Sequence, residues 1–368
     1  MKVNGAAHRS IWAEPEQGLV WIIDQTRLPH TFASHALASL DDAVEAIRTM
    51  QVRGAPLIGA TAAYGIALAM AADAGDANLG RAHEQLLHSR PTAVNLRWAL
   101  ERMRARLAPL PIAERVEAAW SEAARIADED VAINRAIAGH GASLLGALQQ
   151  RLGRPLNVMT HCNAGWLATV DWGTALAPLY ALHERGVPVH VWVSETRPRN
   201  QGLLTAWELR EQGVPHAVLA DNAAGHLLQR GRVDAVIVGA DRVTRRGDVC
   251  NKIGTYLKAV AARENEVPFY ACVPLPTIDW GIEDALREIP IEERSEDEVR
   301  IVRGLDDQGR VAQVNIAPKA TKVANPAFDV TPARYVTGLI TEKGLIRATE
   351  KDLLEHWPRA RESKAYLT

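Results

Sequence analysis

LNVMTHCNAGWLATVDWGTALAPLYALHERGVPVHVWVSETRPRNQG, residues 156–202, decides the fold. A short run rich in β-branched and apolar residues, 156–160, leads into a helical stretch over 174–185. A second apolar run follows at 187–193 and a second helical stretch at 203–212. The rhythm continues through 215–219, 222–230, 235–238, 251–263 and 269–273, with 251–263 read as helix. Strands that alternate with helices are the pattern of βαβ units. They predict a Rossmann-like parallel sheet with helices on both faces.

Outward toward the N-terminus the rhythm changes. Residues 41–50, 56–72, 95–107 and 112–152 carry helical spacing, and only 19–24 (LVWIID) reads as a strand. The run 56–72 is apolar nearly all round, which predicts a buried helix too short to span a bilayer. The chain is therefore read as α/β, with an N-terminal mainly helical domain (1–150) and a C-terminal Rossmann-like catalytic domain (151–368). The charged stretch 292–307 reads as a surface excursion.

Bulk properties exclude several function classes. Hydrophobic residues make up 47% and charged residues 23%, the balance of a globular enzyme. A net charge of −2 gives no field to draw the chain to nucleic acid or anionic lipid, so no nucleic-acid or membrane partner is expected. The first residues lack the apolar core of a secretory signal. Cys162, Cys250 and Cys272 have no metal-ligand spacing and are too few for a disulfide scaffold, which fits a reducing cytoplasm. No Walker sequence or G-x-G-x-x-G follows a strand, so neither a nucleotide cofactor nor a metal is expected.

In an open parallel sheet, ligands bind beyond the carboxyl ends of the strands. Those ends carry Thr160 to Gly165, Glu195 to Gly202, and Gly239 to Arg242. One rim thus collects a thiol (Cys162), a carboxylate (Asp241) and several guanidinium groups. Asp241 follows an apolar strand, where desolvation raises a carboxyl pKa toward the general-acid range. Cys162 follows a strand at a point where a helix N-terminus would lower a thiol pKa. Taken singly, each has a structural reading, as a buried cysteine and as a cap or an ion pair with Arg242. His161 lacks ligand-spaced partners and reads as a supporting residue. For an anion, the loop 244–248 leading to Asn251 and Lys252 at a helix start is one candidate. Arg53-Gly54-Ala55-Pro56, also just before a helix, is another.

These residues resemble the methylthioribose-1-phosphate isomerase family of methionine salvage, which is similar in turn to the regulatory subunits of a eukaryotic translation-initiation exchange factor. The likeness runs through Ile23-Asp24-Gln25 with Leu28-Pro29, RGAP (53–56), RPTAVNL (90–96), THCNAG (160–165) and ETRPRNQG (195–202). It continues in GADRV (239–243), NKIGTY (251–256) and the segment from Asn325-Pro326 to Glu342, and so covers nearly the whole chain. It implies a homodimer that needs no cofactor and acts on a small sugar phosphate, with Cys162 and Asp241 catalytic. It also implies that Arg53, Gly54, Ala55, Arg90, Gln201, Asn251 and Lys252 hold the substrate, mainly its phosphate.

The implied reaction is aldose–ketose isomerisation of a sugar whose anomeric carbon is blocked by phosphate, so an acid must help the ring open. Leu203-Leu204-Thr205 after Gln201-Gly202, Asn200, Cys250 and Pro276 depart from the family pattern. They bear on the 5-substituent, and isomerases of 5-deoxyribose 1-phosphate or ribose 1,5-bisphosphate are the neighbouring readings. Trp12 and Trp21 offer an apolar lid for a methylthio group or are simple core residues. A non-catalytic regulatory subunit is the reading from another class. The joint presence of Cys162 and Asp241 argues against it.

Overall fold

The structure is a computed structural model that describes residues 1–90 and 93–358. Short strands β1 (Lys2–Val3) and β2 (Ala6–Ala7) pair at the start. An antiparallel meander of β3 (Ile11–Glu14), β4 (Leu19–Ile23) and β5 (Ser34–Leu37) follows. Helices α1 (Leu40–Arg48), α2 (Ala55–Ala72), α3 (Asp76–Ser89), α4 (Val94–Leu107) and α5 (Arg115–Leu152) come next. Ser39 caps α1 by accepting from the Asp42 N–H at 3.2 Å, with Asp41 and Asp42 in the first turn.

Helix α2 is long and apolar enough to cross a membrane, yet 83% of it is buried inside the protein. It forms the axis of the first core, where Leu57, Ile66 and Met70 meet Leu86, Leu100 and Met103. An all-apolar helix is what such a central position requires.

The second half alternates as the sequence predicts: β6 (Leu156–Thr160), α6 (Ala177–Glu184), β7 (Val189–Ser194), α7 (Gln201–Glu211), β8 (His216–Leu219), α8 (Ala223–Gln229) and β9 (Ala235–Val238). A hairpin, β10 (Arg242–Thr244) and β11 (Val249–Lys252), precedes α9 (Thr255–Glu264), β12 (Phe269–Cys272) and β13 (Ile278–Asp279). Then come the outer hairpin β14 (Ile301–Leu305) and β15 (Val311–Asn315), β16 (Phe328–Thr331), β17 (Gly338–Thr341) and β18 (Gly344–Ile346).

Among the described residues the main sheet has seven strands in the order β18-β17-β12-β9-β6-β7-β8, parallel except for the β17–β18 edge. The chain winds outward from β6 through β7 and β8. It then returns to β9 on the other flank, so the winding reverses between β6 and β9 and opens a crevice at their carboxyl ends. Residues 160–162 and 239–241 leave the sheet at that place. A smaller sheet, β13-β10-β11-β16, stands over the same end. Helix α5 joins the two halves, its first part packed in the α2 core and Ile137, Ala142 and Leu145 packed under the main sheet.

Candidate active site

Met159 and Thr160 are fully buried in β6, and the chain turns sharply on leaving the strand. Cys162 has φ +66° and Thr196, after β7, has φ +64°. A non-glycine residue in the left-handed region needs support from its surroundings. Here the Thr196 Oγ1 accepts the Cys162 N–H at 2.8 Å, and the Cys162 carbonyl accepts the Thr205 hydroxyl at 2.8 Å. Both contacts fix the backbone, and the thiol faces the crevice.

His161 beneath it is fully buried. Its Nε2 lies 2.8 Å from the Ile253 carbonyl and its Nδ1 3.3 Å from Thr196 Oγ1. Burial, aided by Lys258, pushes the imidazole down to about 3, so it is neutral and structural, as its lack of spaced partners predicts. Asn163 is held by Glu208, whose Oε1 accepts from Asn163 Nδ2 at 2.8 Å and whose Oε2 accepts the Trp166 N–H at 2.8 Å.

Across the switch point Asp241 follows β9, and its N–H donates to the Cys250 carbonyl at 3.0 Å. Arg242, the alternative ion-pair partner for Asp241, reaches Asp279 at 3.3 Å. Burial raises the Asp241 carboxyl above its ordinary range, against the pull of Lys252, Arg90 and Arg294.

The cleft between these elements is lined by Cys162 and Asp241 together with Arg53, Gly54, Ala55, Arg90, Gln201, Asn251 and Lys252. Every sequence-predicted site residue therefore meets in one cavity, although they are spread along the chain from Arg53 to Lys252. Of the motif around Arg90, Pro91 and Thr92 lie outside the described residues.

Two helices point N-termini at the cleft. At α2, Gly54 has φ +90°, and a Cβ there would sit 2.2 Å from the Ala168 carbonyl oxygen. Only glycine lets the helix start that close to the Cys162 loop, so that its first-turn N–H groups, which have no partner inside the helix, face the cleft. At α7, Gln201 is buried and its Oε1 has no partner within the protein. A buried amide in that state marks a place where a ligand belongs.

The cations are desolvated. Lys252 Nζ donates to the Ala327 carbonyl at 2.9 Å and lies 4.3 Å from the Phe328 ring centroid, and burial lowers its pKa. Burial and then Arg199 push the Arg53 guanidinium down to about 9, still cationic at neutral pH.

A model described as the initiation factor 2 subunit family matches residues 51–348 of this chain. Over 364 residues the chain is 60% identical to methylthioribose-1-phosphate isomerase of Methylorubrum populi, which covers 99% of this chain and 100% of the relative. The chain belongs to the methylthioribose-1-phosphate isomerase branch of the initiation factor 2 subunit family. The enzyme of the same name from Rhodospirillum rubrum is 58% identical over 97% of this chain and 94% of its own. Among solved structures, 5-methylthioribose 1-phosphate isomerase from Pyrococcus horikoshii superposes with a TM-score of 0.82 at 40% identity, covering 96% of each chain. A translation initiation factor eIF-2B, subunit delta, from A. fulgidus gives 0.78 at 39% identity over 96% of this chain and 100% of that one.

Within this family member the site departs from the sequence expectations at five points. Asn251 and Lys252 end strand β11, and the helix begins only at Thr255. Their β-position follows from the hairpin, where Val249 and Cys250 pair with β10 and β16. The N-terminus of α9 is closed to an anion, because the Asp329 carboxylate accepts the Gly254 N–H at 2.6 Å and the Tyr256 N–H at 3.1 Å. Arg245 and Arg246 of the loop 244–248 pair with Glu283, and Arg245 also with Glu350, so that loop is no phosphate site.

The Cys162 thiol is raised, not lowered: burial and the charge of Asp241 outweigh Lys252 and Arg53. Trp12 and Trp21 stack across the β3–β4 pair with centroids 6.2 Å apart and line no part of the cleft.

One cleft residue escaped the sequence reading. Arg294, inside the stretch read as a surface excursion, is buried and lines the cleft beside Arg53 and Arg90. Its Nε sits 3.1 Å from Glu292, and its Nη2 approaches Met50 Sδ at 3.3 Å. Arg294 is the one basic residue in the acidic run 292–298, and such a charged run looks the same on a solvated face.

Proposed function

We propose that this chain isomerises S-methyl-5-thio-α-D-ribose 1-phosphate to S-methyl-5-thio-D-ribulose 1-phosphate, as a step of methionine salvage. The observation that carries the proposal is the meeting of Cys162 and Asp241 in one cationic cleft, on a chain 60% identical throughout to an enzyme named for this reaction. The phosphate lies among Arg53, Gln201, Lys252 and the first turn of α2, with Arg90 and Arg294 beside Arg53 adding charge.

The reaction then uses one proton shared by two groups. The Asp241 carboxyl, whose hold on a proton burial strengthens, acts as the acid and gives its proton to the ring oxygen as the C1–O bond breaks. Burial raises the Cys162 thiol most, but with Asp241 neutral the charge that adds to it is gone, and Lys252 and Arg53 favour the anion. Sγ takes the C2 proton, and the C–H electron pair forms a C1–C2 double bond. Sγ–H then returns the proton to C1 while the Asp241 carboxylate takes the proton of the C2 hydroxyl, leaving the ketone. Both groups end in their starting states.

The test is turnover without added metal or nucleotide, with Cys162→Ser and Asp241→Asn in parallel and the wild type repeated in D2O. Turnover lost in both variants, with deuterium entering at C1, supports the scheme. Full retention of hydrogen at C1 would replace the thiol relay by a direct hydride shift, and absence of turnover by folded wild type would remove the isomerase reading.

The homodimer belongs to the same proposal. Leu257 and Leu286, 66% and 74% exposed, offer apolar surface to a second copy, and a mass near 40.2 kDa in light scattering would argue against it. A cytoplasmic setting accords with the free thiols of Cys162, Cys250 and Cys272.

A further inference from the structure

Asn163, next to the Cys162 thiol, lines the cleft, and its contacts decide which end of its amide a ligand meets. Thr205 has one hydroxyl hydrogen, and it is spent on the Cys162 carbonyl at 2.8 Å. Toward Asn163 Nδ2, 3.2 Å away, that hydroxyl can only accept. The Glu208 carboxylate takes the second hydrogen of Nδ2 on its Oε1 at 2.8 Å. Both amide hydrogens are therefore directed into α7, and Oδ1 is the polar atom of this side chain left for a ligand.

Glu208 itself is firmly placed. It is fully buried, and besides Asn163 it accepts the Trp166 and Leu167 N–H groups at 2.8 and 3.1 Å and the Tyr180 hydroxyl at 2.7 Å. Gly165 makes room for the carboxylate, because a Cβ there would sit 1.8 Å from Oε2. Burial pushes Glu208 up to about 7. When it takes a proton, Tyr180 is the neighbour whose hydroxyl can turn to accept it, so Asn163 keeps its orientation.

We propose that Asn163 Oδ1 accepts the C3 hydroxyl of the sugar, and that Glu208 is the residue that positions it. The inference rests on the isomerase reading. Cys162 Sγ takes the C2 proton, and the Asn163 N–H donates to that same sulfur, so residue 163 stands beside C2. Phosphate occupies C1, and Asp241 serves the ring oxygen and the C2 hydroxyl. The C3 hydroxyl is the remaining donor on the ring, one bond along from C2, and it meets an acceptor with no hydrogen of its own to offer. An acceptor fixed in this way rejects a sugar that cannot donate at C3.

The test measures kcat/KM for methylthioribose 1-phosphate and for its 3-deoxy and 3-deoxy-3-fluoro analogues. Neither analogue can donate at C3, and comparing enzyme forms cancels the analogues' own reactivity. Asn163→Ala is expected to lower the hydroxyl-to-deoxy and hydroxyl-to-fluoro ratios by about tenfold or more. Glu208→Gln brings an amide that can donate to Oδ1 and let Asn163 turn. It is expected to lower the hydroxyl-to-fluoro ratio by about threefold or more, and it decides the matter if Asn163→Ala does not fold. A loop merely loosened would slow all three sugars alike, and unchanged ratios in the folded variants overturn the proposal alone. So does a ratio that falls with Gln201→Leu, at the other amide of the cleft, and not with Asn163→Ala. Absence of turnover of the hydroxylated sugar by folded wild type overturns the isomerase reading, and the role of Asn163 with it.

Discussion

Thr196 is a β-branched residue held at φ +64°, and its hydroxyl is the acceptor that keeps Cys162 in its own left-handed turn. Removing that acceptor leaves a partly buried N–H unpaired, at a cost of about 1–3 kcal/mol. Thr196→Val is therefore expected to lower kcat/KM roughly ten- to a hundredfold, while Thr196→Ser, which keeps the hydroxyl, stays within about fivefold. Steady-state kinetics on both variants measures the difference. His161 sets a pH dependence of stability. Its folded pKa of about 3 lies below its ordinary 6.5, so the folded protein binds fewer protons between those values. The stability this provides is complete above pH 6.5 and is lost as pH falls toward 3, with a slope of about 1.4 kcal/mol per pH unit. Urea midpoints at pH 7 and pH 5 should therefore differ less in His161→Gln than in wild type. An equal difference in both would mean that the imidazole is charged in the fold.

At the scale of elements, the start of α2 is the least tolerant piece of backbone in the site. Gly54→Ala places a methyl 2.2 Å from the Ala168 carbonyl oxygen at a φ that alanine rarely adopts. We expect at least a hundredfold loss of kcat/KM and a lowered melting temperature, read by kinetics and circular dichroism. Arg294→Gln, on the segment that leads into the outer hairpin, should raise KM about tenfold with a smaller change in kcat. That is the signature of lost ground-state anion binding.

The sequence made some of these elements plain and hid others for physical reasons. Ala235–Val238 is a central strand buried on both faces and reads as an unbroken apolar run, and Leu156–Thr160 beside it is broken only by the half-buried Asn157 before its closing threonine. Asn251 and Lys252 are polar because their side chains serve the cleft, and the strand they end lacks the apolar alternation that would announce it. Helix α3 went unread although Leu79, Ala82 and Leu86 recur at helical spacing, whereas the strand Ser34–Leu37 has too few apolar residues to set a period.

For the molecule as a whole, strand alternation foretold a parallel sheet, but the order of its strands lies in long-range pairing that no local pattern encodes. The reversal between β6 and β9 turns a plausible list of rim residues into a site. Helix α5 is the other whole-molecule feature, since Ala123 and Val131 pack in one core and Ala142 and Leu145 in the other. Gly141 of this helix has Pro178 Cγ where a Cβ would be, at 2.4 Å. Gly141→Ala should wedge α5 from α6 and cost about 1–3 kcal/mol. Because the helix is shared, fluorescence and circular dichroism should report one common urea transition in both wild type and variant. Separate transitions would mean that the two cores melt independently.

The same helix makes the cleft a matter of mechanical tolerance. Arg53 and the α2 N-terminus ride on one core and Cys162 and Asp241 on the sheet, and α5, roughly 57 Å long, is the beam between them. A tilt of about two degrees over half that length moves one wall against the other by roughly an ångström, enough to cost about a hundredfold in rate. Changes at the middle of α5, far from any substrate atom, would thus be felt as misalignment, much as a bent hinge spoils a lock whose key and wards are intact.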